Sequence, residues 1–337
     1  MHAYDITASG NFEGKSIPRL ITSMAELAQN FKISEEEATL RIAESKRKLW
    51  EVREQREKPG LDDKVLTSWN GLMLASLAEA SRVLGRADYL EAAVHNAMFL
   101  LSTMRSSNGR LLHTWRRGSA PKLNGYLEDY AYLADALLEL YQATLDEHWF
   151  LAAQDLVDLL ISHFTDEAGE SFYDVSDDHE RLVVRPKDLQ DNATPSGSGM
   201  AATVLFKLAA YTGNRQYYNR ACAAVLPMQM AMREHPTAFG QWLQALSFAL
   251  GKPNEIAIVG DPQSTDTQAL LAETHNTYLP HQVVAVAPPD KETSIALLDG
   301  RPQVDGRATA HVCQNFVCHL PVTDPETLRA RLMSTDP

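Results

Sequence analysis

Apolar residues recur at helical spacing between Gly125 and Phe164, and this stretch sets the pattern for the chain. Leu133, Leu137, Leu138 and Tyr141 mark one helix, and Leu156, Leu159 and Leu160 mark a second. Asp146 and Glu147 fall at the joint, where an acidic side chain meets the free N–H groups and positive dipole end of the second helix. The joint repeats. LGRADYLEAA (84–93), TLDEHWFLAA (144–153) and TGNRQYYNRA (212–221) align without a gap. Each has an aromatic (Tyr89, Trp149, Tyr217) at its sixth position and an alanine (Ala93, Ala153, Ala221) at its end. A series of helical hairpins is expected, with any chemistry in the loops between them.

Before the first joint, Ile21–Asn30 reads as a short helix. Ser34 with Glu37 forms a capping-box pattern that opens a long charged helix, ended by Pro59-Gly60. Thr67 or Ser68 can cap a helix to about Leu84, whose hairpin partner runs from about Asp88 to Met104. Two long connections follow the hairpins, 105–125 and 165–195. The first holds a strand candidate in GRLLHTWRRG; in the second, SFYDV and RLVVRPKD flank Asp177-Asp178 as a small β-hairpin. The Ser196-Gly-Ser-Gly stretch starts a helix to about Tyr211, paired with Arg215–Arg233, and Pro236 opens a last helix to about Leu250.

The aligned joints begin at 84, 144 and 212, a spacing well beyond the ~34 residues of a tetratricopeptide repeat. Short joints at one end and long loops at the other predict an (α/α) toroid with its working face at the long-loop end. A plain α-solenoid is the alternative. After Lys252-Pro253-Asn254 the pattern changes. EIAIVG (255–260), HQVVAVA (281–287) and ATAHVCQ (308–314) read as strands, and Thr265–Thr274 and Asp324–Met333 as helices. The expected organisation is an irregular lead-in (1–33), a helical-hairpin part (34–251) and a small α/β unit (252–337). Gly260-Asp261 reads as a plain turn, since one glycine is no phosphate fingerprint.

The chain has 337 residues, 45% of them hydrophobic, enough for a large core. Its net charge is −13 without a long basic block, which argues against a nucleic-acid partner. No apolar run approaches the ~20 residues of a membrane helix, and no secretory pattern follows Met1, so a cytoplasmic protein without a membrane partner is expected. Three cysteines (Cys222, Cys313, Cys318) fit a reducing compartment better than a disulfide scaffold. His113, His148 and His163 are not at ligand spacing, and Cys313-x4-Cys318 lacks a second pair, so no metal and no cofactor is expected.

Three stretches could carry chemistry. Asp62-Asp63-Lys64 precedes Trp69-Asn70 at a helix start, where an indole could stack on a sugar ring; the alternative is dipole compensation with Trp69 in the core. Trp115-Arg116-Arg117 is followed by Tyr126, Glu128, Asp129 and Tyr130. Adjacent residues on a helix point about 100° apart, so Glu128 and Asp129 cannot both face one ligand atom. One would meet the ligand and the other pair with Arg116 or Arg117, or both would simply compensate a helix dipole. The third stretch is Arg185, Lys187, Asp188 and Asp191 before the Ser196-Gly-Ser-Gly turn, able to hold hydroxyls or a carboxylate. That turn lacks the leading glycine of a serine-hydrolase elbow.

DDKVLTSWNGLM (62–73), GYLEDYAYL (125–133) and DNATPSGSG (191–199) together resemble the spermatogenesis-associated, thioredoxin-domain-containing family and its bacterial homologues. YDITASGNFEGKSI (4–17) and AHVCQNFVCHLPVTDPETL (310–328) fit it too, so the likeness runs through the whole chain. The resemblance implies a thioredoxin-like domain, then an (α/α)6 toroid similar to six-hairpin glycosidases and N-acylglucosamine 2-epimerases, then a C-terminal extension. This chain matches only the later part. It has no Cys-x-x-Cys and fewer helices than a closed ring needs, so an upstream thioredoxin-like domain and toroid half are expected partners.

The leading expectation is a carbohydrate-active, glycosidase-like domain. A sugar would stack on Trp69, Trp115 or Tyr126 and be bound with Asn70, Arg116, Arg185 and Asp188. Asp129, with Glu128 or Asp191 as the second carboxyl, would do the acid–base work. A non-catalytic scaffold coupled to a thioredoxin-like domain is the alternative. A sugar epimerase is a third, with His113 the only histidine well placed in a long loop.

Overall fold

The computed structural model describes residues 2–180, 183–314 and 317–333, in two compact units divided at Asp62/Asp63.

In the first unit, α1 (Met24–Phe31) and α2 (Glu35–Glu54) pack Leu27 and Ala28 against Ala38 and Ile42. The full capping box is Ser23 with Glu26 at α1; Ser34 caps Glu37 N–H without the reciprocal bond. The long charged helix, which the sequence pattern placed with the hairpins, thus belongs with the lead-in, and it stops short of Pro59. Its i,i+4 ion pairs (Glu37–Arg41, Glu44–Lys48, Arg47–Glu51) lie on a solvated face.

The second unit holds three hairpins: α3 (Thr67–Leu84) with α4 (Ala87–Thr103), α5 (Leu127–Thr144) with α6 (Glu147–Phe164), and α7 (Gly197–Thr212) with α8 (Arg215–Val225). Helices α3, α5 and α7 stand side by side, and α10 (Gly240–Leu250) packs on α7. Both α5 and α7 are buried on nearly every face, as inner helices, whereas α6 and α8 keep a solvated stripe. This is the mainly helical, α/α toroid arrangement that the hairpin pattern predicts.

The three aligned joints fold alike. Gly85, Leu145 and Gly213 occupy the second position of each block and all are left-handed. Ala93, Ala153 and Ala221 are fully buried, letting the helices approach. Gly71 brings α3 equally close to α5: a Cβ there would sit 2.9 Å from the backbone of Tyr132.

Pro227 breaks the predicted Arg215–Arg233 helix into α8, a 3-10 turn and α9 (Gln229–Glu234). Pro236 opens only a 3-10 turn before α10. The first long loop supplies β2 (Leu112–Trp115) and β3 (Lys122–Asn124), which form a three-stranded antiparallel sheet with β1 (Val65–Leu66), the strand that leads into α3. The hairpin expected around Asp177-Asp178 is not formed among the described residues. Phe172 makes a single bridge to Thr165, and Arg181 and Leu182 lie outside the description.

The last segment carries β4 (Asn254–Val259), α11 (Thr265–His275), β5 (Gln282–Ala287), β6 (Thr309–Gln314), β7 (Val317–Cys318) and α12 (Pro325–Met333), in sheet order β5-β4-β6-β7. Its strands alternate. Ala257, Val283 and Ala285 face the helical core, while Ile256, Ile258, Val284 and Val286 lie under Leu270, Leu328 and Leu332 of α11 and α12. The segment therefore shares one compact unit with the hairpins. Cys313 and Cys318, expected as free thiols, form a disulfide, because the β6–β7 register sets them directly opposite one another.

Candidate functional site

The long-loop ends of α3, α5 and α7 meet around Asp129, which is fully buried at the first turn of α5. Its Oδ1 accepts the Ser68 N–H of α3 at 2.8 Å. Its Oδ2 accepts the Tyr126 N–H at 2.8 Å and lies 2.9 Å from His113 Nδ1 on β2. Helix α3 is thus capped from a neighbouring helix. Neither Thr67 nor Ser68 caps it, since the residue before it is Leu66 and Thr67 Oγ1 donates to the Leu112 carbonyl.

Glu128, the neighbouring residue on α5, points toward a cavity while a carboxylate oxygen stays within 4.8 Å of the Asp129 and His113 ligand atoms. With Tyr126, Glu128 lines this cavity of about 220 Å³, whose far wall is built from Asp174, Asp188, Asn192, Thr194 and Ser196. Gly197 permits the approach: a Cβ there would lie 3.2 Å from the Glu128 amide. Burial raises the Glu128 carboxyl above its ordinary range, and the Asp129 charge adds to this. The buried Ser68 hydroxyl has no hydrogen-bond partner of good geometry, yet it lies near enough to favour ionised Glu128. Asp174 is pushed up to about 6, chiefly by burial, although its carboxylate accepts the Asp188 N–H at 2.8 Å.

His113 completes the group. Burial alone would lower its affinity for a proton, but the hydrogen bond and charge of Asp129, with Glu128, raise it above the ordinary value. Its ring meets Tyr126 edge-on with centroids 4.7 Å apart, and Tyr126 also contacts His179. Ligand atoms of His113, Glu128 and Asp129 lie within 4.8 Å of one another. Three acceptor positions of Asp129 are already taken, so the trio reads as a hydrogen-bonded cluster rather than an open cation site. Larger hollows of about 360, 510 and 620 Å³ are lined by other residues, with none of His113, Glu128 and Asp129 among them.

The other expected residues are placed differently. Asp191 lies outside the cavity wall: its oxygens accept the Ser196 and Gln241 N–H groups, each at 2.8 Å, tying the loop to α7 and α10. Arg116 pairs with Asp63 at 3.3 Å, not with Glu128 or Asp129, because β2 pairs with β1 beside that loop. Asn70 bonds Leu66 and Asn96 between α3 and α4. Trp115 is half-buried against Phe99, with ring centroids 5.2 Å apart. Trp69 is exposed, so it is not a core residue. Arg185 donates to the His163 and Val175 carbonyls and lies over the Tyr173 ring, away from the cavity wall. Only Tyr126, Glu128 and Asp188 of the expected set line the cavity, with Asp129 behind it. Asp174 went unnoticed in the sequence, because nothing in SFYDV separates it from a loop aspartate.

No protein-family model matches the chain. Over 355 residues, 98% of the chain, it is 31% identical to human spermatogenesis-associated protein 20. The chain is homologous to that protein. The rat protein of the same name is 32% identical over 96% of the chain, and an uncharacterised Caenorhabditis elegans protein is 26% identical over 93%. The chain spans less than half of each relative's length: 45% of the human, 43% of the rat and 44% of the worm protein.

Among solved structures it is similar to a GH76 alpha-mannanase of Bacteroides thetaiotaomicron, with 14% identity, a TM-score of 0.40, and coverage of 50% of this chain and 42% of that one. A cellobiose 2-epimerase of Spirochaeta thermophila gives 16% identity and a TM-score of 0.42, over 51% of this chain and 44% of that one. Similarities this low assign no substrate and no site. No helix of the described residues is long and apolar enough to cross a membrane.

Proposed function

We propose that the Tyr126–Glu128–Asp174 cavity takes one ring of a sugar or related polyol, and that Glu128 exchanges a proton with it. The observation that carries this reading is Glu128 itself: a carboxyl in a cavity wall, held above its ordinary pKa, beside a histidine oriented by a buried carboxylate. At about 220 Å³ the cavity is smaller than the ~300–1,000 Å³ of drug-sized sites, which suits a single ring. Tyr126 offers a stacking face, and Asp188 and Asn192 offer polar partners for hydroxyls.

In a hydrolytic reaction Glu128 is the acid that protonates the leaving oxygen. Asp174, ionised above about pH 6, is the second carboxylate. Asp129 does neither. It fixes His113 with Nδ1 toward itself, and His113 in turn tempers the Glu128 carboxyl. In an epimerisation His113 Nε2 takes the proton instead. The thioredoxin-like domain and the remaining hairpins of a ring are proposed upstream partners.

A non-catalytic scaffold is the second reading. One observation favours it: Asp129 and Asp191 both spend their carboxylates on backbone amides, as helix-start residues would. Turnover separates the two. In assays of aryl glycosides and reducing sugars, Glu128→Gln should lower turnover by ~10²–10⁴-fold while leaving binding in place. Binding of a sugar without turnover in the wild-type chain would favour the scaffold.

A further inference from the structure

The disulfide lies on the edge of the C-terminal sheet. Cys313 is fully buried on β6, whereas Cys318 is exposed on the edge strand β7. From the loop after β5, Arg301 reaches both sulfurs: Nη1 is 3.1 Å from Cys313 Sγ and 3.4 Å from Cys318 Sγ. The same guanidinium is anchored by its Nε to the Leu297 carbonyl.

We propose that Cys313–Cys318 is a thiol–disulfide exchange site that accepts two electrons from an external dithiol, with Arg301 positioned to hold the released thiolate. A neutral disulfide is a weak acceptor and adds little to the compensation that the Glu255 carboxylate already gives this half-buried guanidinium. A thiolate at Cys313 is a full negative charge at hydrogen-bond distance from the same group. The contact therefore favours the reduced form and improves the leaving sulfur, since exchange quickens as the leaving thiol's pKa falls. Two other ionisable groups face the pair. Glu255 is opposite Cys313 on β4 and opposes a thiolate there. His311 lies two residues before Cys313 on the same face of β6, with its Nε2 at the Pro302 carbonyl.

The steps balance. The dithiol's thiolate bonds to the exposed Cys318 sulfur, and the Cys313–Cys318 bond breaks with its electron pair leaving on Cys313 beside Arg301. The dithiol's second thiol gives up its proton and attacks the mixed disulfide, closing the dithiol into its own disulfide. Cys318 leaves with an electron pair and takes that proton. The pair ends as one thiolate and one thiol.

The test uses the whole chain and limiting dithiothreitol, with thiols trapped by alkylation and counted by mass spectrometry; Cys222 is the internal control. Arg301→Gln should slow reduction by roughly three- to fivefold, the effect of about one pKa unit on the leaving thiol at a fractional Brønsted slope, and Arg301→Lys should restore most of the rate. Equal rates in the wild type and Arg301→Gln would overturn the proposal. Should Arg301→Gln fail to fold, the wild-type chain is compared native and unfolded in urea, where the contact is lost. Faster reduction of the native chain supports the assignment, and equal or slower reduction overturns it.

Discussion

Asp129 Oδ2 lies 2.9 Å from His113 Nδ1, and the same carboxylate accepts amides at the starts of α3 and α5. Three elements are therefore joined through one buried side chain. Asp129→Asn cannot accept at both oxygens, so one buried N–H is left facing an NH₂ group. The expected loss is ~2–4 kcal/mol of stability, the cost of orphaning a buried donor plus a weakened His113 contact. Urea denaturation measures it. A loss below ~0.5 kcal/mol would show that the carboxylate does not organise these helices.

Asp174 carries a cost of the opposite sign. Its folded pKa, about 6, is above its ordinary 3.8. The protonated form is the one the fold prefers, so its contribution is present below about pH 4 and is lost as pH rises through about 6. Asp174→Asn should stabilise the chain at pH 7–8 by on the order of 1 kcal/mol, the full shift being discounted because the group is partly solvated. Melting temperatures of the two proteins should converge near pH 4.

Lys207 bridges Asp135 at 2.7 Å and Glu139 at 2.9 Å between α7 and α5, and Arg82 of α3 also pairs with Glu139. Lys207→Met would leave two carboxylates buried with one cation, which should cost ~3–5 kcal/mol. Despite burial, the two cations hold the Glu139 carboxyl down to about 2. Its stabilisation is present above its ordinary 4.5 and is lost as pH falls toward 2. The wild-type melting temperature should therefore drop through this acid window, and the Lys207→Met chain should show a shallower drop.

Gly71→Ala tests the close packing of α3 on α5. Alanine is favoured over glycine within a helix by ~0.5–1 kcal/mol, but here the methyl meets Tyr132 backbone at 2.9 Å. Overpacking should win, with a net loss of ~1–3 kcal/mol in chemical denaturation.

The hairpins were legible because the aligned blocks repeat both a left-handed position and a buried alanine. The C-terminal strands were legible because each is a nearly continuous apolar run, as a strand buried on both faces of its sheet must be. The long loops were not. Their residues are placed by partners distant in sequence: His113 meets Asp129 because β2 passes the start of α5, and Asp191 is drawn away by the Gln241 amide. Glu128 and Asp129 could be separated by the turn of the helix, but which of them faced a cavity depended on Ser68 of another helix. The disulfide, likewise, depended on a strand register that spacing alone does not fix.

The most direct test of the proposed site is the melting temperature of the wild-type chain, of Glu128→Gln and of Glu128→Val across a panel of mono- and disaccharides. One sugar class should raise the wild-type value by several degrees and leave Glu128→Val unmoved, while Glu128→Gln, which keeps the shape and the polar contact, should keep most of the shift. Equal shifts in all three proteins, or no shift in a wild-type chain that melts cooperatively, would contradict it.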